Sequence, residues 1–303
     1  MKRFLALALV TVIVASCNDK DKTGQKQTIL TGEVTVITDQ TLTPIIEDQI
    51  AVFENEYQAK FNLISKSEGE VINELLNGSI KVGVLARKLS ADEQNVFNQR
   101  KIYPKTTQFA TDAIAFIRNS ADNDSLIALQ DVINFINGKP VERIEGLVFD
   151  NPNSSTAREL ATLAKVNSLP ENGIFSFNTN AEAIKYISEN RRMIGVVGLN
   201  WISQTPEDIQ KYKSGIKVLS VKSLDGSEYV APSQSNIAEG KYPLARDLFV
   251  VDCQGFAGLG KGFSSFIAGE RGQRIILKSG LLPIRIPHRK IITRSQIQKV
   301  KSN

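Results

Sequence analysis

Residues 33–65 read EVTVITDQTLTPIIEDQIAVFENEYQAKFNLIS. The opening alternation of β-branched residues, 33–38, is strand-like. Pro44 then suits the first turn of a helix in which Ile46, Ile50, Phe53 and Tyr57 recur at helical spacing, and 60–65 is a second strand. The pattern continues downstream. Residues 69–77 form a short helix with Ile72, Leu75 and Leu76 inward and Gly78 at its end, and 80–85 form a third strand. Ser90 with Glu93 makes a capping box for a helix over 91–100. This βαβαβα order predicts an α/β fold with parallel strands and crossover helices.

The alternation then restarts. Residues 112–119 form a continuous apolar strand, and 126–137 are amphipathic through Leu129, Val132, Ile133 and Ile136. Further strands fall at 147–150, 193–198, 217–221 and 247–252. Helices fall at 156–165, 181–190 and 263–279, the last broken near Gly269. Two α/β lobes fit 303 residues better than one very large sheet. The predicted division is 32–112 plus 246–303 for the first lobe and 113–245 for the second, with crossings near Asp112 and Arg246.

Composition narrows the chemistry. The chain is 42% apolar and 23% charged, which is globular, and it has one histidine, His288, and two cysteines, Cys17 and Cys253. A catalytic triad, a histidine-rich metal site or a disulfide framework needs more of these residues. The charge of +5 is unevenly placed. Residues 271–303 hold nine basic residues and no acidic one. With Lys2 and Arg3 set aside as part of a removed leader, 35 basic residues face 32 acidic ones, and 17–270 carry −6. A basic segment on an acidic body does not describe a nucleic-acid binder. The basic residues alternate with Ile275, Ile276, Leu281, Leu282 and Ile284, as in a folded segment.

The N-terminus is an address. Lys2 and Arg3 precede the apolar run 4–14, too short to span a bilayer, and Val14-Ala15-Ser16-Cys17 follows. This is a signal peptide over 1–16 whose end resembles a bacterial lipobox. Cys17 is then the lipidation site of an exported lipoprotein, held to a membrane and facing the periplasm or cell exterior, with 17–31 a tether. Cys253 follows the apolar run 248–251 and reads as a buried structural thiol.

Ligands of open α/β sheets bind where strands end and helices begin, and helix N-termini suit anions. Three such junctions are rich in hydroxyls: 38–44, with Gln40 and Thr41; 65–69, with Ser67; and 150–158, with Asn153, Ser154, Ser155 and Thr156. A capping role explains any one of them. The last carries more hydroxyls than one cap needs, and Arg158 lies in the first helical turn, where a bound anion offsets its unfavourable position. Arg87, at the end of the third strand, presents a guanidinium whose fork fits an oxyanion.

Taken together, these stretches, with 82–90, 112–117, Ile194-Gly195-Val196-Val197-Gly198 and Tyr242-Pro243-Leu244, make the chain similar to the phosphate-binding lipoproteins of bacterial ABC importers, a branch of the type II periplasmic binding proteins. The resemblance runs from about residue 32 to about 289. It implies a two-lobe clamp that closes on phosphate or a similar tetrahedral oxyanion and delivers it to an ABC permease. It also implies that Ser154, Ser155 and Thr156 stand in the family's Ser-Gly-Thr loop, Ser67 at a first-lobe serine, and Gln40 and Thr41 near the first-loop position. No cofactor, metal or catalytic residue is implied, and a monomer is expected. Two positions depart from the family. Asp150 stands where the family has an arginine, and Ala86-Arg87 where it has an aspartate that accepts a phosphate proton.

Rival readings remain on the sequence. Residues 255–262, GFAGLGKG, nearly match a phosphate-cradling loop, but Gly262 replaces the hydroxyl residue that holds Mg²⁺. A secreted phosphate-ester hydrolase needs metal carboxylates or an activated nucleophile, and His288 in the basic segment reads as a surface residue. An oxyanion sensor without transport uses the same lobes. Trp201 reads as core.

Overall fold

The computed structural model describes residues 27–287; the leader, Cys17 and His288 lie outside the described residues. In the first lobe, β1 (Gly32–Asp39) lies between β2 (Ala59–Lys66) and β3 (Val82–Leu85), all parallel. Helix α1 (Thr43–Glu56) connects β1 to β2. Pro44 sits in its first turn, and Ile45, Ile46, Ile50 and Phe53 are buried against the sheet. Phe53 stacks edge-on against Phe61, Phe263 and Phe266, so β2 and the C-terminal helices share one core with α1. Helix α2 (Glu68–Asn77) covers the other face. A Ser67–Glu70 capping box opens it, and Gly78, at a φ of 79° that favours glycine, ends it. Helix α3 (Ala91–Gln99) has the predicted Ser90–Glu93 capping box.

The second lobe is built around β6 (Gly146–Phe149), parallel to β7 (Ile174–Ser176) and β8 (Met193–Gly198). Helices α4 (Leu129–Ile136), α5 (Ser155–Ala164) and α6 (Asn180–Glu189) supply buried apolar faces to its core. A small sheet of β5 (Leu126–Ala128), β10 (Ser220–Lys222) and β11 (Tyr229–Val230) closes one side. The short helices α7 (Asn200–Ser203) and α8 (Gln234–Ala238) complete it.

One strand serves both lobes. β4 (Lys105–Asn119) is 15 residues long. Through Ala113 it pairs with β12 (Ala245–Asp252), and from Ile114 it pairs with β8 and with β9 (Ile216–Val218). β12 is antiparallel to both β3 and β4, because the chain returns from the second lobe and runs back down the sheet. The result is a mostly parallel α/β sheet with antiparallel strands at the crossing. At that crossing the Tyr242 hydroxyl donates to the Ile114 carbonyl at 2.7 Å, tying the return segment to β4.

The structure differs from the sequence reading where polarity hid an element. β4 starts at Lys105, not 112, because its first half carries Lys105, Thr106, Thr107 and Gln108 along a partly exposed ladder. Residues 126–128 are a strand before α4, because they pair with β10. The predicted helix over 263–279 is α9 (Leu259–Ile267) and α10 (Glu270–Lys278), parted at Gly269, and β13 (Leu282–Pro283) follows on β4. Cys253 is buried, and burial pushes its thiol up to about 12.

Candidate functional site

The carboxyl ends of β1 and β6 point at each other across the lobe boundary. β1 ends at Asp39, whose carboxylate accepts the Thr41 N–H at 3.1 Å and the Thr41 hydroxyl at 2.9 Å. This folds Gln40–Leu42 into a single 3₁₀ turn that feeds α1. On the opposite lobe, Ser154 caps α5, its hydroxyl accepting from the Ala157 N–H. Ser155, the next residue, brings its hydroxyl 3.1 Å from that of Thr41. Two helix N-termini, one per lobe, therefore meet through side-chain hydroxyls, with their positive dipole ends converging.

Arg246 joins them. It lies directly opposite Asp112 in the β4–β12 register, at the crossing between lobes, and pairs with the Asp112 carboxylate at 3.0 Å. Its Nη1 donates to the Ser155 hydroxyl at 2.6 Å and its Nη2 to the Thr41 hydroxyl at 3.1 Å. Arg246 is 7% exposed, and Asp112 and Asp39 are wholly buried. Burial raises both carboxyls above their ordinary range, against the pull of the guanidinium. From the second lobe, Asn200 Nδ2 donates to the Thr41 carbonyl at 2.7 Å, and the Trp201 indole N–H to the Gln40 carbonyl at 3.2 Å. Trp201 is thus core, as read, and also a clasp across the boundary.

Behind the second loop lies Asp150. It accepts from the Thr156 hydroxyl at 3.2 Å and Asn180 Nδ2 at 3.1 Å, and Thr156 also bonds Ser154 at 2.9 Å. Burial, with the nearby Asp39 charge adding to it, pushes Asp150 up to about 7. Several buried polar atoms of this cluster have no protein partner: Arg246 Nε, Asp112 Oδ1, Asn180 Oδ1 and Asn200 Oδ1. Such groups are costly to bury unsatisfied, so the cluster retains capacity for a hydrogen-bonding guest.

A cleft of about 510 Å³ opens beside the cluster, lined among others by Ser67, Arg87, Asn153, Ser154 and Arg158. Glu68, 3% exposed at the first position of α2, dominates it. Its carboxylate accepts from Arg87 Nε at 2.8 Å on its own lobe and from Arg158 Nε at 2.7 Å on the other. Arg87 also forks onto Glu93 at 2.7 and 2.8 Å, and Arg158 reaches Glu159 at 3.2 Å. Gly69 N–H donates to the Asn153 carbonyl at 3.4 Å, a second bridge between lobes.

Of the predicted residues, Thr41 and Ser155 touch, with Ser154 and Thr156 adjacent to them. Gln40 takes part through its carbonyl and Asn153 through its carbonyl at the cleft rim. Ser67 lines the cleft, but its hydroxyl is engaged with Glu70, donating at 2.7 Å and accepting at 3.4 Å. Arg87 and Arg158 face the cleft already paired with carboxylates. Sequence reasoning missed Arg246, Asp112 and Glu68 as members. Arg246 is read from the sequence only as the return crossing; an arginine there, just before the apolar run 248–251, is the signal that could have found it. The helix expected from residue 69 starts one residue earlier, at Glu68, and the Ser67–Glu70 capping box is the signal in the sequence that could have placed it there.

Comparison with known proteins supports this architecture. Residues 22–271 match the model of the PBP superfamily domain. Among solved structures, the chain superposes on a Clostridium perfringens protein assigned as a phosphate ABC transporter substrate-binding protein, with phosphate bound, at a TM-score of 0.69 and 19% identity, over 84% of this chain and all of that one. It superposes on an ABC-type phosphate transport receptor from Vibrio cholerae at 0.62 and 16% identity, over 83% of this chain and all of that one. For a protein from Planctomyces limnophilus described as a possible phosphate binding protein, the values are 0.57 and 15%, over 84% and 94%. No match was found among curated protein sequences. With the family model covering most of its length and this two-lobe fold beneath it, the chain belongs to the PBP superfamily.

Proposed function

We propose that the protein is an extracytoplasmic solute-binding protein that captures phosphate, or a similar tetrahedral oxyanion, between its lobes and presents it to an ABC importer. The observation that carries the proposal is the meeting of Thr41 and Ser155, at helix N-termini on opposite lobes, on the two arms of the buried Arg246. An anion seated there gains N–H dipoles from both helices, two hydroxyl donors and one guanidinium, and it gains them only when both lobes are in contact. Asp39 and Asp150, both held above the usual carboxylate range, are acceptors suited to a ligand that brings a proton. The oxyanion oxygens would be held by Thr41, Ser154, Ser155 and Thr156. Arg87 and Arg158 would tune the field from the rim, and Gln40, Ser67 and Asn153 would shape the loops.

The finer parts of the proposal rest on sequence. The segment 1–17 makes it a lipoprotein anchored through Cys17, the lobes divide as 32–112 plus 246–303 and 113–245, and the mature chain acts as a monomer without catalysis. The names of the superposable proteins favour transport over sensing or hydrolysis. Calorimetry of the chain from Asn18 onward, which retains every described residue, tests the proposal with phosphate, sulfate, arsenate and molybdate. Saturable heat from phosphate at one site per chain is expected. Heat from none of the four overturns it.

A further inference from the structure

A second cavity lies away from the cleft. It measures about 1110 Å³ and sits at the base of the first lobe, where β3 and β4 begin and β12 ends. β3 connects the two regions: Lys81, just before it, lines the cavity, and Arg87, just after it, reaches the cleft. Five cations line the cavity: Lys81, Lys101, Lys105, Lys261 and Arg285. All five are exposed, and among the described residues none is in an ion pair. The single carboxylate in the lining, Asp252, is nearly buried and accepts the Gln254 N–H at 2.9 Å. Five like charges gathered around one carboxylate, with none of them in an ion pair, repel one another, and an anionic partner relieves that repulsion.

The rim is apolar. Tyr103 is 69% exposed and Phe256 57% exposed, both in the cavity lining, and Ile286, the residue after Arg285, is 82% exposed. Exposed aromatic and aliphatic side chains beside a cluster of cations are the composition of a surface that rests on a membrane interface. The near-match to a phosphate-cradling loop runs along this cavity, but its geometry does not suit a nucleotide. The Gly260 N–H is taken by Gln254 Oε1 at 2.8 Å. A Cβ on Gly262 would run into the Ile29 carbonyl, so the hydroxyl residue of such a loop has no room.

The contact with Ile29 puts the first described residues against this loop. Gln27 packs on the same loop, its Oε1 accepting from Gln254 Nε2 at 2.7 Å. Nine residues lie between Gln27 and Cys17, a span of at most about 35 Å. At the other end, Arg285 lies in the cavity and the described chain stops two residues later. The stretch that follows, 288–303, carries five further lysines and arginines and no acid.

We infer that this basic, aromatic-rimmed cavity is a docking seat for anionic phospholipid headgroups, holding the base of the first lobe against the membrane while the cleft on the opposite side stays open to solute. The inference rests on the anchoring proposed above for the presence of a membrane. The binding itself needs no lipid on the protein. Each lysine or arginine near an anionic surface contributes about fivefold in affinity.

Co-sedimentation of the chain from Asn18 with vesicles tests it. One set is phosphatidylcholine alone, and the other is phosphatidylcholine and phosphatidylglycerol in equal parts. Binding to the anionic set, falling as salt is added, with little to the neutral set, is expected. The K101E/K105E/K261E variant should bind at least about 100-fold more weakly while melting at an unchanged temperature. If that variant melts earlier, Tyr103→Ala with Phe256→Ala is the second variant, and several-fold weaker binding is expected. Equal binding to both vesicle sets, or undiminished binding by the variants, overturns the inference. So does displacement by soluble glycerol phosphate at the lipid's concentration, which points to a small soluble ligand instead. Phosphate calorimetry on the same samples reads the cleft separately, so the failure of one proposal is distinguishable from the failure of the other.

Discussion

At the scale of single residues, the site concentrates buried carboxyls around one guanidinium. Arg246 and Asp112 form a cross-strand pair in which breaking one partner leaves the other buried and uncompensated. Asp150 has no such partner. Burial raises it from an ordinary value of 3.8 to about 7, so the folded protein holds a proton that the unfolded chain has lost. The stability linked to this proton is fully present below about pH 3.8. It is lost as pH rises through about 7, because the unfolded state then binds fewer protons than the native one. Asp150→Asn removes that loss. The Asn180 amide, whose Oδ1 has no protein partner, is placed to turn and accept from the new side chain. Denaturant titrations should show the variant gaining about 2–4 kcal/mol on the native protein between pH 5 and pH 8. A difference that stays constant with pH would show that Asp150 is ionised throughout. The Ser155 hydroxyl is shared between Thr41 and Arg246, and its position among three consecutive hydroxyl residues was readable. What those hydroxyls bind to was not, because Arg246 lies far along the chain from both loops.

At the scale of elements, the site is a matter of which helices begin where. Helix α2 opens on Glu68, and that carboxylate bridges Arg87 and Arg158 across the cleft. It therefore occupies, as a side chain, the place where two guanidinium groups would otherwise face an anion. Glu68→Gln should leave both arginines less neutralised and raise phosphate affinity by about three- to tenfold in calorimetry. An unchanged or weaker affinity would mean that the bridge serves closure alone. The turn after β8 is equally constrained. A Cβ on Gly198 would sit 2.8 Å from the Thr41 carbonyl and 2.9 Å from Asn200 Nδ2, so Gly198→Ala should push the first loop off the second lobe. At least about tenfold weaker phosphate binding, with a folded second lobe by circular dichroism, is expected. Binding equal to that of the native protein would show that the loops need not dock closely. The alternation of strands and helices was legible because apolar periodicity survives burial, and the capping serine of α3 was legible for the same local reason. The first half of β4, the strand β5 and the short strand β7 were not, because their partners come from distant segments and their own sequences are polar or brief.

At the scale of the whole molecule, two lobes are joined by β4 and by the return into β12, and they touch through Thr41–Ser155, Glu68–Arg158, Gly69–Asn153 and Trp201–Gln40. All of these contacts close around one place, where helix N-termini converge. The net charge does not predict that place. The lysines of the cavity lie at the base of the first lobe, away from it, and the site's positive character comes from helix ends and from three arginines matched against carboxylates. The proposed function requires the two-lobe hydroxyl cluster on Arg246 to hold a tetrahedral oxyanion. Phosphate titrated calorimetrically into the native chain and into Ser155→Ala tests it most directly. One site per chain in the native protein, weakened about ten- to a hundredfold when the shared hydroxyl is removed, is the predicted result. Equal phosphate affinity in the two proteins, or no binding to the native one, would contradict it.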